Sequence, residues 1–103
     1  MALTRVKRET IDVTLNLKGQ GDTVKMDITY FNRKQSEVDA LLADADGTGS
    51  KIPDIIAYMV KKWDSEYTLT RDGINELEDD RPGVVLAVIE GFHEARKMQK
   101  VKN

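Results

Sequence analysis

Two stretches near the start of the chain alternate strictly between apolar and polar residues. Their apolar sets are Ile11, Val13, Leu15 and Leu17, and then Val24, Met26, Ile28 and Tyr30. Alternation with a period of two places one set of side chains on each face of a β-strand. Gly19 and Gly21, between the two stretches, supply the positive φ values that a tight reversal requires. The pattern therefore predicts a β-hairpin over residues 10–31, with one face half buried under later elements.

The apolar spacing changes to that of a helix from Ser36 onward. Val38 and Leu41 follow at helical intervals, and Asp39 lies three residues after Ser36, as in a weak capping box. Residues 44–50 then form a polar break that contains two glycines. We expect a short first helix capped by Ser36.

A second helix is predicted after this break. Its apolar stripe consists of Ile52, Ile55, Ile56, Met59, Val60 and Trp63. The intervals i, i+3, i+4, i+7, i+8 and i+11 follow one face of a helix. We therefore expect one helix over residues 52–63, with Val60 and Trp63 in its contact with the hairpin.

The last third of the chain contains signals for two further helices. Leu69 and Ile74 flank Thr70 with the spacing of a hydrophobic staple around an N-cap. Pro82 ends this polar helix and opens the next one, because proline is tolerated in a first helical turn.

The final helix is apolar on every side over residues 84–89, and Phe92 extends its apolar surface. Such a helix is buried on most sides or presents a face to a partner. One candidate face contains Leu86, Ile89 and His93, and the other contains Val85, Val88 and Phe92. We expect one face in the core and the other exposed. The predicted protein-binding residues are Val85, Leu86, Val88, Ile89 and Phe92.

These elements predict an α+β fold, a single small domain over residues 1–103. Residues 1–9 form a flexible basic N-terminus, residues 10–31 the hairpin, and residues 36–103 a helical part with about four short helices. A chain of 103 residues has the common size of one domain.

Composition excludes most classes of chemistry. The chain has no cysteine and one histidine, His93, which excludes disulfides, thiol catalysis and sites built from several histidines. The acidic run over residues 76–80 lies at a helix end, where all its carboxylates are solvated alike. We expect no catalytic residue, no cofactor and no metal. The absence of an apolar run of about 20 residues predicts a soluble protein without a membrane span.

Both ends of the chain are basic although the net charge is −2. The bases are Arg5, Lys7 and Arg8 at one end, and Arg96, Lys97, Lys100 and Lys102 at the other. They allow a nucleic-acid-binding alternative, but no aromatic residue alternates with the C-terminal bases and the middle of the chain is acidic. Binding to nucleic acid is therefore the lesser alternative. Such polarity also suits head-to-tail self-association or a two-sided interface, or simply solvated ends.

The order of motifs after residue 60 resembles the small tail assembly chaperones of long-tailed bacteriophages. The residues that match the pattern are Trp63, Asp64, Leu69, Thr70, Ile74, Leu77, Pro82, Gly83, Val85, Ile89, Phe92, Lys102 and Asn103. The resemblance also covers the arrangement of a β-rich N-terminal part before a helical C-terminal half.

The resemblance implies a transient, non-enzymatic role in the host cytoplasm, with the protein absent from the mature virion. Such a chaperone coats the apolar, helical tape measure protein, keeps it soluble and recruits tail tube subunits that displace it. The partners implied are the tape measure protein and the tail tube protein, and self-association is expected as well. The alternatives are a small nucleic-acid-binding regulator and a structural head–tail or tail component.

Overall fold

A computed structural model describes residues 2–45, 47 and 49–101, and its elements form an α+β domain. In chain order they are β1 (Thr10–Gly19), β2 (Asp22–Phe31), α1 (Gln35–Ala43), α2 (Ile52–Met59), β3 (Val60–Trp63), α3 (Arg71–Asp80) and α4 (Val84–Arg96). The hairpin and the four helices predicted from the sequence are confirmed. A third strand was not predicted.

The hairpin has a continuous register and a two-residue turn. Gly19 lies opposite Asp22, and the pairing continues without interruption to Thr10 and Phe31. Both turn residues, Gln20 and Gly21, have positive φ values, of 52° and 82°. These values are typical of a type I′ turn, whose twist matches that of the two strands it joins. The positive φ expected at Gly19 is wrong, because Gly19 is the last residue of β1 and Gln20 takes the first turn position instead.

The predicted helix over residues 52–63 is wrong in its last turn. The helix ends at Met59, and Val60–Trp63 forms β3, which pairs antiparallel with β2 in a sheet of order β1-β2-β3. Trp63 lies opposite Ile28, and Val60 lies opposite Tyr30 after a register shift. Pairing with β2 satisfies backbone groups that a helix would have satisfied internally, so the apolar spacing alone did not distinguish the two.

The predicted helix starts are correct for α3 and wrong for α1. The Thr70 side chain accepts a hydrogen bond from the Gly73 N–H, as expected of an N-cap. The N-cap of α1 is Lys34, without a side-chain bond, and Ser36 lies inside the first turn. Pro82 precedes α4 rather than beginning it, because Gly83 is the N-cap of α4, with φ 98°.

The helices pack on one face of the sheet. The buried core consists of Met26, Ile28, Tyr30, Val38, Ile55, Ile56, Met59, Val60, Ile74, Leu77, Val85, Val88 and Phe92. The opposite sheet face is polar, and two threonine–aspartate pairs cross it: Thr14 donates to Asp27 and Thr29 donates to Asp12. Within the described residues, no helix is long and apolar enough to cross a membrane.

Candidate protein-binding site

The three sides of helix α4 have different surroundings, and these explain why the helix is apolar all round. Val85, Val88 and Phe92 are buried in the core. Ala87 and Gly91 lie against β1, since both line the cleft between that strand and α4. The third side contains Leu86, which is 58% exposed, and the half-buried Ile89.

The exposed side of α4 forms the floor of an apolar groove of about 290 Å³ between α2, α3 and α4. The groove is lined by Gly49, Ile52, Ile74, Asn75, Glu78, Val85, Leu86 and Ile89. Only one of these side chains is charged. An apolar cleft with one charge at its side fits an amphipathic helix better than it fits a polar ligand.

The α3 wall of the groove is fixed to α2 at its N-terminal end. Arg71 donates a 3.0 Å hydrogen bond to the Ser50 carbonyl and forms a 3.3 Å ion pair with Asp54. The close approach of Gly73 to the preceding loop also restricts this end, because a Cβ on Gly73 would lie 2.2 Å from the Thr68 carbonyl oxygen. Glycine is a poor helix former, but the packing at Gly73 leaves no space for a side chain.

The C-terminal end of α3 is fixed to the hairpin turn. The Gln20 side-chain amide donates to the Asp80 carbonyl at 2.9 Å, and Arg81 forms a 3.0 Å ion pair with Asp22. Tyr67 donates to the Asp80 carboxylate at 2.8 Å, and this hydrogen bond is the main cause that raises the pKa of Tyr67. With α3 held at both ends, the groove is formed before any partner binds, which lowers the entropic cost of binding.

The C-terminal end of α4 is held by Arg96, which the sequence placed in the basic tail. Its guanidinium donates to the Asn32 side chain at 3.2 Å, to the Gln35 side chain at 2.9 Å and to the Arg33 carbonyl. The same group lies 4.7 Å from the centre of the Phe92 ring. Arg96 therefore has a structural role, and the tail has one base fewer to offer to a phosphate backbone.

The charge near the groove is acidic. Glu78 lines the groove, and the other acids of α3 (Asp72, Glu76, Asp79 and Asp80) are exposed. A carboxylate beside an apolar floor favours a partner that places a Lys or Arg at the edge of its apolar face.

The exposed apolar residues of the two termini, Leu3, Val6, Met98 and Val101, lie outside the helices and strands.

The predicted binding residues fall into two groups. Val88 and Phe92 are fully buried in the core, and Val85, which is 3% exposed, only borders the groove. Leu86 and Ile89 are accessible from the groove. Residues from other elements, Ile52 of α2 and Glu78 of α3, were not predicted to belong to the site. Ile52 is the first residue of the apolar stripe of α2. That end position was the sequence feature that could have indicated a place at the rim of the core.

Two weaker candidates for chemistry add nothing to the site. Asp44, Asp46 and Thr48 occupy the oxygen-ligand positions of a calcium loop in the sequence, but Ile55 replaces its essential glutamate; Asp46 and Thr48 lie outside the described residues. His93 is half buried, with its ring edge-on to Phe92 at 5.5 Å. Within the described part of the chain, no three His, Asp or Glu side chains come together as possible metal ligands.

Comparison with known families decides between the remaining classes of protein. The sequence model of the family described as phage tail assembly chaperone matches residues 1–103, the whole chain. The chain belongs to the phage tail assembly chaperone family. No curated protein and no solved structure matches it. Lys102 and Asn103, which complete the sequence pattern of these chaperones, lie outside the described residues.

Proposed function

We propose that this chaperone binds an amphipathic helical segment of the tape measure protein in the groove between α2, α3 and α4. This proposal depends on one observation: Leu86 is exposed beside Ile89 on the apolar floor of the groove. A tape measure protein is long, helical and apolar. Its apolar surface must therefore be covered until the tail forms around it. A groove that accepts one helix face would supply that cover.

The proposed cycle requires binding and release, and no catalysis. The chaperone holds the tape measure protein in the host cytoplasm, recruits tail tube subunits, and is displaced as the tube forms around the tape measure protein. It is then absent from the finished virion. Support for reversible binding comes from the small size of the groove and from its single charged residue, Glu78, since a small contact can be exchanged for a larger one.

The experiment compares two substitutions that introduce the same charge at exposed apolar positions. Leu86→Glu places a carboxylate on the groove floor, and Val24→Glu, at a residue that is 40% exposed on the hairpin, is the matched control. Each variant is co-expressed with the tape measure protein of the same phage, and the tape measure protein that stays in the soluble fraction is quantified.

Leu86→Glu should reduce that soluble fraction by about tenfold, because an unpaired carboxylate cannot be buried under a partner helix without a large desolvation cost. Val24→Glu should match the parent, and both variants should unfold at nearly the parent temperature. If Leu86→Glu keeps as much tape measure protein in solution as the control does, the groove is not the binding site.

A further inference from the structure

The strand β1 lies at an edge of the sheet and is unusually well suited to pairing with another strand. Its ten residues pair with β2 on one side only. Natural edge strands are usually short, bulged or interrupted by proline, which prevents uncontrolled pairing. β1 has no proline, and its register against β2 is continuous.

The hydrogen-bond pattern of the hairpin shows which backbone groups of β1 face outward. The Asn32 N–H donates to the Glu9 carbonyl at 2.8 Å, so Glu9 points its backbone groups toward β2. Directions alternate along a strand, and therefore every odd-numbered residue of β1 also faces β2. The outward N–H and C=O groups belong to Thr10, Asp12, Thr14, Asn16 and Lys18.

The apolar side chains of β1 are less well covered than those of β2. Ile28 and Met26 are 2% and 6% exposed, whereas Val13 and Leu15, which lie opposite them, are only half buried. The difference arises because the cleft between β1 and α4 is open at the sheet edge. A further strand beside β1 would cover Val13 and Leu15.

We infer that β1 pairs antiparallel with β1 of a second copy of this chain, which joins two three-stranded sheets into one six-stranded sheet. This inference goes beyond the proposed function, concerns the self-association expected from the sequence, and uses the side of α4 away from the groove. Outward-facing residues must lie opposite outward-facing residues, and the two copies must be related by a two-fold axis. Only a few registers satisfy both conditions.

Charge complementarity selects one of these registers. With Leu15 opposite Leu15 of the second copy, Asp12 lies opposite Lys18 of the second copy, and symmetry repeats this ion pair. The register centred on Asp12 instead places two aspartates opposite each other, and the one centred on Thr14 leaves Asp12 opposite Asn16. In the selected register Val13 lies opposite Leu17 of the second copy, so the apolar face also continues across the junction.

The first test removes one outward N–H group. Asn16→Pro deletes a donor that faces away from β2, and proline is tolerated at such an edge position. Asn16→Ala removes the same side chain and keeps the N–H group, which makes it the matched control. Sedimentation velocity across a concentration series should show a dimer for the parent and for Asn16→Ala, and a monomer for Asn16→Pro. A monomeric parent, or a dimeric and folded Asn16→Pro variant, would overturn the inference.

The second test does not depend on the proline variant being folded. Asp12→Lys and Lys18→Asp should each raise the dimer dissociation constant about tenfold, because each variant places like charges opposite each other at two symmetric positions. The double variant restores opposite charges and should recover the parent value. Failure of this recovery would contradict the register centred on Leu15.

Two further measurements separate this inference from the proposed function. Amide hydrogen exchange in the parent should show protection of Thr14 and Asn16 that increases with protein concentration. The Leu86→Glu variant should remain a dimer, because Leu86 lies on the other side of α4. Loss of the dimer in Leu86→Glu would instead assign self-association to the groove. Unchanged tape measure binding in a monomeric Asn16→Pro variant would show that the two surfaces act independently.

Discussion

The Tyr30 hydroxyl donates a buried hydrogen bond of 2.7 Å to the backbone carbonyl of Val88. The bond joins the central strand of the sheet to α4, whose opposite side forms the groove floor. Gly91, one turn further along α4, leaves the space for the phenol, since a Cβ at that position would lie 2.7 Å from the Tyr30 hydroxyl oxygen. The position of the groove floor relative to the sheet thus depends on a tyrosine and on the glycine beside it.

Tyr30→Phe should lower the free energy of unfolding by about 1 kcal/mol, the usual contribution of one hydrogen bond. Gly91→Ala should lower it by about 1–3 kcal/mol, because the added methyl group overpacks a buried site. The double variant should lose less than the sum, since removal of the hydroxyl makes room for the methyl group. Urea unfolding of the four proteins measures this coupling. Strictly additive losses would mean that Leu15, which the added methyl group would also approach closely, causes the crowding.

Burial of the Tyr30 phenol also predicts how stability depends on alkaline pH. Tyr30 is 0% exposed, and burial raises its pKa far above the ordinary value of 10. Between pH 10 and the folded-state pKa, only the unfolded chain releases this proton. The contribution of Tyr30 to stability is therefore complete below pH 10 and is lost as the pH rises above 10.

The measurement is the free energy of unfolding between pH 8 and pH 11.5 for the parent and for Tyr30→Phe. Above pH 10 the parent should lose stability more steeply, by up to about 1.4 kcal/mol per pH unit. Tyr58 and Tyr67 also have raised pKa values, but they are present in both proteins and do not affect the difference. Parallel curves would show that the Tyr30 hydroxyl ionises freely in the folded protein.

Gly73 provides a prediction about the groove wall. Gly73→Ala should lower the free energy of unfolding by about 2–3 kcal/mol, although alanine is favoured over glycine in a helix by about 1 kcal/mol. The added Cβ would meet the rigid backbone of Thr68, which cannot move aside as a side-chain end could. Gly19→Ala is the control, because no atom lies within 4 Å of its added Cβ. Thermal unfolding of both variants tests this, and equal stabilities would contradict the close packing at Gly73.

Local patterns were sufficient for most elements, because a hairpin and a capped helix are specified by neighbouring residues. Alternation and the turn residue Gly21 determine β1 and β2, and Thr70 determines the start of α3. Val60 and Trp63 fit a helical stripe as well as Ile52 does. They form a strand because β2, distant in the sequence, offers pairing partners, and no local pattern contains that information.

The sequence was sufficient to predict which helix carries the proposed binding surface, but not which face of that helix is exposed. Residues 84–89 are apolar on all sides, so periodicity gives no direction for the core. The small residues Ala87 and Gly91 are the one local indication, since close packing against a sheet requires small side chains. The contribution of Ile52 and Glu78 depends on how α2 and α3 pack beside α4, which only the tertiary structure provides.

The final prediction concerns Trp63, which the sequence placed on a helix and the structure places on β3. Its side chain is half buried against the core, and its indole N–H donates a 2.7 Å hydrogen bond to the Tyr67 carbonyl. Replacing a fully buried tryptophan by alanine costs about 3–5 kcal/mol, so Trp63→Ala should cost about 2–3 kcal/mol. Trp63→Phe keeps most of the apolar contact and should lose only about 1 kcal/mol with the hydrogen bond. Urea unfolding distinguishes the two variants. Equal losses would show that the hydrogen bond to Tyr67 dominates, whereas no loss in either variant would mean that β3 contributes nothing to the stability of the sheet.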